Sequence, residues 1–360
     1  MSDKAQPKVI LISEYPPPAA GMTVQAQQLL TRLQEEGYPI QEVRTNPILP
    51  SSFSWIEKIK VIRSLIKWLI FITSCRKIIK ADIVHIFSSS GLNYYLFTLT
   101  PIVLSSLLNK KVIINYHGGG AESFFNNNLK LLAWSMSHCD KLVVPSRFLQ
   151  EVFEKFGYKS EVIGNIANVE QFNFKKRKID VPVVISTRNL TSLYNIECAV
   201  KSFSILQRDY PKAIFYIAGD GPEKENLKLL VARLNLRNVH FLGNLQNEDV
   251  VSYIDRSNIF INTSTVDNMP GSILEAFASG LPVVSTNVGG IPYMVEHGVT
   301  GLLAGNNDYK KLGELLVSVL GDSKLTSRLI DNGYAQILGL KGEIITELWT
   351  TTYSQLIDNR

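Results

Sequence analysis

The sequence predicts an α/β protein built from two doubly wound domains, and three observations lead to that prediction. Apolar runs of strand length alternate with segments of helical periodicity, which is the order expected of a parallel sheet covered by helices. The alternation occurs twice, in two halves of nearly equal length. The chain has 360 residues, which is more than one typical core contains. We therefore expect two Rossmann-like domains that face each other across a cleft.

Composition narrows the class of protein. Hydrophobic residues make up 45% of the chain and charged residues 19%, as in folded globular proteins. The three cysteines, Cys75, Cys139 and Cys198, are scattered and odd in number, which favours free thiols in a reducing compartment over disulfides or a metal cluster. The chain opens with polar residues rather than a secretory signal, so we expect a cytoplasmic protein.

The first half opens with a strand, a loop and a helix. An apolar run at 8–13 predicts the strand, and the prolines that follow forbid a helix directly after it. Gly21 ends the loop, where a residue without a side chain lets the backbone approach a ligand closely. A helix is predicted from about Thr23 to Glu36. Further strands of this half are predicted at 82–87, 111–116, 141–145 and 161–163, with helices at about 94–108 and 146–156.

His117 directly follows the predicted strand at 111–116. The carboxyl ends of parallel strands are where open α/β sheets bind their ligands. His117 is therefore a candidate site residue of the first half.

The segment Ser54–Lys80 holds seven basic residues and one acid, which accounts for the net positive charge of the first half. Its apolar residues recur at helical spacing, and Lys60, Arg63 and Lys67 form a basic stripe on another face. A basic amphipathic helix with tryptophans can lie on an anionic membrane surface, although this apolar run is far too short to span a bilayer. The alternative is an ordinary surface helix that packs on the sheet and keeps its lysines in water.

The basic run Lys175–Lys178 and Pro182 mark a linker between the halves, and four basic residues at a boundary favour a solvated hinge over a nucleic-acid site. The first domain is therefore expected at 1–174 and the second at 182–342. A terminal helix at 343–360 has an apolar face that must dock on another element. Strands of the second half are predicted at 183–186, 213–218, 239–242, 259–262 and 283–285, with helices between them.

The stretch from Ser264 to Gly290 predicts a loop, a short helix and a buried strand. Asp267 lies in the loop and Glu275 in the helix, on either side of the helix N-terminus. The free N–H groups of Gly271 and Ser272 and the helix dipole favour a phosphate there, and the two carboxylates can accept hydrogen bonds from sugar hydroxyls. In the alternative, Ser272 is the N-cap and Glu275 closes a capping box on its own backbone.

These segments resemble those of glycosyltransferase family 4, the retaining, nucleotide-sugar-dependent group with the GT-B fold. The resemblance runs over nearly the whole chain. The family signature is a pair of acidic residues separated by seven positions, here Asp267 and Glu275 within DNMPGSILEAFASGLPVVSTNVGG. Also typical are IAGDGPE at 217–223, FLGNL at 241–245, VVPSRFL at 143–149, and a C-terminal helix with an early tryptophan, here Trp349.

The resemblance implies a role for each matching residue. Glu275 is expected to bind the ribose hydroxyls, Asp267 the hydroxyls of the donor sugar, and Arg188 the diphosphate. Gly21 is expected to line the opposite wall, and His117 to lie at the sugar.

The resemblance also implies a first domain that binds the acceptor, a second domain that binds a UDP- or GDP-sugar, and a C-terminal helix that crosses back to the first domain. No cofactor other than the donor substrate is implied. The basic, apolar first half favours a lipid-linked or polysaccharide acceptor, and a protein peripheral to the inner face of the membrane.

The sequence departs from the family pattern at three places. The common Pro-Asn-Gly-x-Asp hinge motif reads Gly164-Asn-Ile-Ala-Asn168, and the other two departures lie at the candidate site. The first acid is usually Glu and here is the shorter Asp267, and the usual Lys-Gly pair after the arginine is Tyr194-Asn195. A second cation for the diphosphate is therefore missing, unless Lys201 or Lys224 replaces it. The alternative to an active enzyme is a GT-B subunit that binds a nucleotide sugar or a partner protein and turns over poorly. The sequence contains no Asp-x-Asp pair, so a metal-bridged diphosphate site is not expected.

Overall fold

The computed structural model describes residues 6–17, 21–47, 60–167, 169–177 and 179–358, with the main chain alone for 60–65. The chain divides into two compact units. The first consists of Met1–Ile166 together with Gly342–Arg360, and the second of Ala167–Lys341.

The first unit contains a six-stranded sheet in which every pair of neighbouring strands is parallel, in the order β2-β1-β3-β4-β5-β6. Its strands are β1 (Val9–Ser13), β2 (Ile40–Arg44), β3 (Ile83–Ser88), β4 (Lys111–Tyr116), β5 (Lys141–Val144) and β6 (Glu161–Val162). All residues of β1 and β3 are buried, as expected of central parallel strands covered on both faces.

Helices cover both faces of this sheet. They are α1 (Gly21–Glu35), α2 (Lys60–Ser74), α3 (Leu99–Leu107), α4 (Ala121–Asn126), α5 (Leu129–Ser137) and α6 (Arg147–Lys155). A 3-10 turn at Cys75–Lys80 extends α2, and a π turn at Tyr94–Thr98 precedes α3. The predicted helix at Ser54–Lys80 is thus confirmed from Lys60 onward, and its start lies outside the described residues.

The second unit has its own six-stranded parallel sheet, in the order β12-β11-β10-β7-β8-β9. Its strands are β7 (Val183–Ser186), β8 (Ile214–Ala218), β9 (Val239–Gly243), β10 (Ile259–Asn262), β11 (Val283–Thr286) and β12 (Leu302–Ala304). Its helices are α7 (Ile196–Asp209), α8 (Lys224–Arg233), α9 (Asn247–Asp255), α10 (Gly271–Ala278), α11 (Tyr309–Gly321) and α12 (Ser323–Leu338).

The last helix, α13 (Gly342–Asp358), belongs to the first unit. Its buried face includes Ile345, Trp349 and Tyr353, which confirms the predicted apolar docking face. Within the described residues, no helix combines the length and the apolar character needed to cross a membrane.

One residue of the segment predicted as a solvated hinge, Arg177, instead has its side chain largely buried within the second unit. Arg177 Nη1 donates to the carbonyl oxygen of Ser279 at 2.6 Å, and Lys175 forms an ion pair with Asp255 at 2.8 Å. Gly280 has a φ of +69°, and a Cβ atom there would lie 2.8 Å from the carbonyl oxygen of Lys175. The expectation of a solvated hinge is therefore wrong for Arg177, whose side chain is 9% exposed. Lys178 lies outside the described residues.

Candidate functional site

The candidate residues of the second unit follow two central strands of its sheet. Strands β7 and β10 are neighbours, yet they are the first and fourth strands of this unit along the chain. The crevice at such a switch point is the usual ligand site of an open α/β sheet. Arg188 follows β7, and Asp267 lies in the loop after β10.

Arg188 is held in this crevice by three partners. Its Nη2 forms an ion pair with Asp267 Oδ2, and its Nη1 donates to Ser272 Oγ at 3.2 Å. The guanidinium carbon lies 4.0 Å from the centroid of the Tyr194 ring. The Nε atom of Arg188 has no hydrogen-bond partner among the described residues. A planar guanidinium in such a crevice is suited to bind phosphate oxygens.

Asp267 is positioned by a chain of buried polar side chains. Ser264 Oγ lies 2.9 Å from Asn262 Oδ1 and 3.3 Å from Asp267 Oδ2. Asn262 Nδ2 in turn donates to Ser285 Oγ at 3.0 Å. Asn262, Ser264 and Ser285 are fully buried, so this chain is a rigid support for the carboxylate.

Two glycines let the loop of Asp267 lie against the turn that follows β11. The N–H of Gly290 donates to the carbonyl oxygen of Asp267 at 2.8 Å. A Cβ atom on Gly289 would lie 2.1 Å from that oxygen, and one on Gly290 would lie 1.9 Å from the carbonyl oxygen of Asn268. At these distances only glycine fits at positions 289 and 290, because any Cβ atom would clash with a carbonyl oxygen of the Asp267 loop. The Gly-Gly pair therefore fixes the position of that loop.

Helix α10 directs its N-terminus toward Arg188, since Ser272 in its first turn accepts the hydrogen bond described above. The helix begins at Gly271, directly after Pro270, and no side chain caps it. The interpretation of Ser272 as the N-cap of a capping box is therefore wrong. The first N–H groups of a helix have no intrahelical partner, and together with the helix dipole they favour an anion.

Glu275 lies one turn into α10 and is half-buried. Its carboxylate accepts no hydrogen bond from any described residue, and only its main-chain carbonyl is engaged, by Ser279. Burial raises the pKa of Glu275 above its ordinary value, and the positive charge of Arg188 opposes that shift. Neither capped nor paired, this carboxylate is available to accept hydrogen bonds from a ligand.

Lys201 and Lys224 are both paired with acids other than those of the Arg188 site, so neither replaces the missing second cation. Lys201 pairs with Glu197 on the same helix, and Lys224 pairs with Asp220 at 2.8 Å. The position that is a lysine in the resembled family is occupied by Tyr194, whose ring packs on Arg188 instead.

The IAGDGPE segment supports the backbone of Arg188. The N–H of Leu190 donates to the carbonyl oxygen of Asp220 at 3.0 Å. Gly219 has a φ of +143°, and a Cβ atom there would lie 2.3 Å from the carbonyl oxygen of Arg188. The close packing of these two loops explains why glycine occurs at this position.

In the first unit, His117 follows β4, and its N–H donates to the carbonyl oxygen of Ser88 at 2.8 Å. Its ring stacks on Phe87 with 4.9 Å between centroids. Burial lowers the pKa of His117 to about 3, so the imidazole is neutral near pH 7. It can accept or donate a hydrogen bond there, but it does not act as a cation.

Gly21 is the first residue of α1, and a Cβ atom at this position would meet no atom of the described residues within 4 Å apart from its chain neighbours and its own helix. The first unit therefore leaves open space beside the backbone here, as a close approach of a ligand requires.

The structure brings Arg188, Asp267, Gly271, Ser272 and Glu275 together in the second unit, whereas Gly21 and His117 belong to the first. The stacking of Tyr194 and the polar support of Asp267 were not predicted. The replacement of the family's usual lysine by Tyr194 was the signal in the sequence for this contact. The polar support of Asp267 depends on contacts between strands, for which the sequence holds no signal. Among the described residues, no group of three or more His, Cys, Asp or Glu side chains could hold a metal ion.

Comparisons with known proteins match nearly the whole chain. The family model described as Glycosyltransferase Family 4 matches residues 19–171, and the model described as Glycosyl transferases group 1 matches residues 168–336. The lipopolysaccharide core biosynthesis glycosyltransferase LpsE of Rhizobium meliloti is 26% identical over 182 residues, which are 50% of this chain and 51% of that protein. Matches to five curated relatives span 24% to 61% of their lengths.

Two solved structures are similar over nearly their whole length. Sucrose-phosphate synthase from Thermosynechococcus elongatus has a TM-score of 0.80 at 19% identity, covering 99% of this chain and 100% of that one. HepE of Anabaena, solved in complex with UDP-glucose, has a TM-score of 0.74 at 17% identity, covering 97% and 100%. At these identities the likeness concerns the fold.

Proposed function

The chain belongs to the glycosyltransferase family 4 type of proteins and has the GT-B fold, and from this premise we propose that it transfers a sugar from a nucleotide-diphosphate sugar to an acceptor, with retention at the anomeric carbon. The observation that carries the proposal is the meeting of Arg188, Asp267 and the N-terminus of α10 at the switch point of the second sheet. These groups offer one cation, free N–H groups and a carboxylate to one ligand. The complex of HepE with UDP-glucose supports a UDP-sugar as donor, with a GDP-sugar as the alternative.

Each group has a part in donor binding. Arg188 and the N–H groups of Gly271 and Ser272 hold the diphosphate, and Glu275 accepts hydrogen bonds from the ribose. Because Arg188 is paired with Asp267 in the free protein, donor binding exchanges one ion pair for another. The guanidinium takes a phosphate oxygen, and the released carboxylate of Asp267 accepts hydrogen bonds from the donor sugar.

Groups of the first unit complete the assignment. On the family resemblance, we propose that the backbone at Gly21 contacts the phosphate. His117 forms a hydrogen bond with a hydroxyl of the donor sugar, in the neutral form that its burial imposes.

The transfer breaks the bond between the anomeric carbon and the leaving phosphate oxygen. The acceptor oxygen forms its bond to the same carbon from the same face, and the acceptor proton passes to the leaving phosphate. No carboxylate acts as a nucleophile, so the rate depends on positioning and on stabilisation of the leaving diphosphate by Arg188. Arg188 and the helix N-terminus supply the positive potential that a divalent cation would otherwise supply, and we propose a metal-independent reaction without a further cofactor.

The acceptor that we propose is a lipid-linked glycan or a cell-surface polysaccharide under assembly, at the cytoplasmic face of the membrane. The name of the relative LpsE, a lipopolysaccharide core biosynthesis enzyme, supports this class. Helix α2 and the 3-10 turn that follows it also support this class. Leu69 of α2 is 51% exposed, and Ile79 of the turn is 61% exposed beside the exposed charges of Arg76 and Lys80. Apolar and basic side chains in water at one surface are suited to an anionic bilayer.

Co-sedimentation with anionic liposomes tests the membrane surface. Replacement of Lys60, Arg63 and Lys67 by Gln should reduce binding, since each basic residue near such a surface contributes about 1 kcal/mol. The matched control replaces Lys310, Lys311 and Lys324, on the second unit, by Gln. Equal sedimentation of the two triple variants and the wild type would overturn the membrane proposal.

Donor turnover tests the enzymatic proposal. The protein is incubated with UDP- and GDP-sugars, and release of the nucleoside diphosphate is followed for the wild type, Glu275→Ala and the control Glu314→Ala, which changes an exposed residue of α11. Loss of hydrogen bonds to a charged group should lower kcat/KM of Glu275→Ala by about 10- to 100-fold. The enzymatic proposal fails if the wild type binds and turns over no donor, or if Glu275→Ala equals the control.

A second candidate is a subunit that binds a nucleotide sugar or a partner protein but turns over poorly. The ion pair between Arg188 and Asp267 favours this second candidate. It neutralises Arg188, so less positive charge remains to stabilise the leaving group. Tight nucleotide binding without turnover of any donor would support this candidate.

A further inference from the structure

Helix α3 has an apolar row on its outer side. Leu99, Val103 and Leu107 follow one another at intervals of four residues, so their side chains lie on one side of the helix. Val103 is 42% exposed and Leu107 is 75% exposed, while Leu99 is half-buried. Leu92, which precedes the π turn before α3, is 64% exposed. We call these four side chains the α3 face.

The α3 face is not patterned for water. A surface helix of a globular protein normally presents charged side chains to solvent. From Ile83 to Asn109 the sequence contains no Asp, Glu, Lys or Arg, so neither the π turn nor α3 has a charged residue. Single exposed apolar residues are common in soluble proteins, whereas an uncharged helix with an exposed apolar row indicates an interaction surface.

Basic side chains border the α3 face. Helix α2 lies beside it, since Trp68 Nε1 donates to the carbonyl oxygen of Leu96 at 3.3 Å, and the 3-10 turn that extends α2 packs on α3. That turn exposes Arg76 and Lys80, and neither side chain forms an ion pair with a described residue. Residues 60–138 contain nine basic residues and two acids. The apolar row is therefore flanked by uncompensated positive charge.

We propose that the α3 face enters the apolar layer of an anionic bilayer, and that the basic side chains of the 3-10 turn contact the lipid headgroups. The apolar side of an interfacial helix lies about 5–10 Å deep at the boundary between headgroups and acyl chains, where anionic lipids attract flanking cations.

The flanking charge decides between a bilayer and a second copy of this chain as the occupant of the α3 face. A two-fold axis through this face would bring Arg76 and Lys80 of each copy toward the same cations of the other, and such like charges repel. An anionic bilayer instead supplies charge of the opposite sign.

The α3 face begins beside the candidate site residue of the first unit. Leu92 follows the loop after β3, and the carbonyl oxygen of Ser88 in that strand accepts the N–H of His117 at 2.8 Å. A Cβ atom on Gly118 would lie 3.0 Å from the backbone nitrogen of Ser90, so the loops after β3 and β4 are in contact. In the proposed function, on which this step rests, a lipid-linked acceptor in the bilayer then enters at the Leu92 end of the face and has its headgroup near His117.

Co-sedimentation with vesicles of phosphatidylglycerol and phosphatidylcholine tests the proposal, with no donor or acceptor present. In the double variant Val103→Gln/Leu107→Gln the partition coefficient should fall about 10- to 100-fold, because two apolar side chains no longer enter the acyl layer. The matched control Leu229→Gln/Leu348→Gln changes side chains that are 65% and 41% exposed on α8 and α13, and it should bind like the wild type. Equal midpoints of urea unfolding serve as the check that both variants are folded.

Tryptophan quenching identifies the element that enters the bilayer. Lipids brominated on their acyl chains should quench the tryptophan added by Leu107→Trp, because position 107 then lies among the acyl chains. They should leave the tryptophan added by Leu348→Trp, on α13, unquenched.

Equal vesicle binding of the two double variants, or an unquenched tryptophan in Leu107→Trp, would overturn the proposal. Sedimentation velocity distinguishes the other occupant. A wild-type dimer that becomes a monomer in Val103→Gln/Leu107→Gln, with unchanged vesicle binding, would assign the face to a second copy and would also overturn the proposal.

Donor turnover in solution is a separate measurement. Val103→Gln/Leu107→Gln should turn over a donor like the wild type in the absence of vesicles, since neither side chain belongs to the candidate site. Absence of turnover in the wild type would count against the proposed function alone, because vesicle binding is measured without any substrate.

Discussion

The guanidinium of Arg188 lies on the ring of Tyr194, with 4.0 Å from its central carbon to the ring centroid. On its other edges the same guanidinium contacts Asp267 and Ser272. The family resemblance would place a second cation at position 194. The ring of Tyr194 stands there instead and orients the guanidinium of Arg188. In the proposed function, phosphate binding therefore depends on the placement of one arginine rather than on the sum of two positive charges.

Replacement of Tyr194 tests this dependence. Tyr194→Ala should weaken binding of a nucleoside diphosphate by about 1–2 kcal/mol, since a partly desolvated cation–π contact is worth that much. Tyr194→Phe keeps the ring and should bind like the wild type. Isothermal titration with UDP and GDP measures both. Equal affinities for Tyr194→Ala and Tyr194→Phe would show that the ring does not hold Arg188.

Asp267→Asn should separate binding of the nucleotide from transfer of the sugar. Without the carboxylate, Arg188 is free for the diphosphate, so UDP should bind at least as tightly as to the wild type. Sugar transfer should fall, because a neutral amide oxygen replaces the charged acceptor of the hydrogen bonds from the donor sugar.

The free protein should lose stability at the same time. An ion pair that is only 12% and 16% exposed is removed, at a cost of about 1–3 kcal/mol in the free energy of unfolding. Urea unfolding with and without UDP measures both effects. Weaker binding of UDP to Asp267→Asn would contradict the exchange of partners at Arg188.

The sequence was sufficient to predict the two parallel sheets, because buried strands such as β1 and β10 are uninterrupted apolar runs. It did not predict β2, whose IQEVR alternates at the sheet edge, or β12, which has three residues. The acids and Arg188 were predicted from spacing and resemblance. The support of Asp267 by Asn262 and Ser285 could not be predicted, because Asn262 and Ser285 meet only when β10 and β11 pair.

The Gly-Gly pair after β11 should tolerate no side chain. Gly290→Ala places a Cβ atom within 1.9 Å of a carbonyl oxygen, so the loop of Asp267 must move or the fold must strain. We expect a loss of about 1–3 kcal/mol in the free energy of unfolding and a loss of donor turnover. Gly321→Ala is the control, because its added Cβ would meet no atom of the described residues within 4 Å outside its own helix, and it should unfold like the wild type. Activity and stability of Gly290→Ala equal to those of this control would contradict the close packing.

Glu275→Gln should change stability in a way that depends on pH. Burial raises the pKa of Glu275 in the folded protein above the ordinary value of 4.5, so the folded state favours the protonated form. The stabilising contribution of the neutral carboxyl is complete below pH 4.5 and is lost as the pH rises through the folded pKa. Glu275→Gln mimics the neutral form at every pH, so its free energy of unfolding should exceed that of the wild type at pH 7 and approach it at pH 4. Chemical unfolding of both proteins between pH 4 and pH 8 measures this difference. A difference that is independent of pH would show that ionised Glu275 is not penalised by burial, and a lower stability of the variant at pH 7 would show that its charge is instead satisfied in the fold.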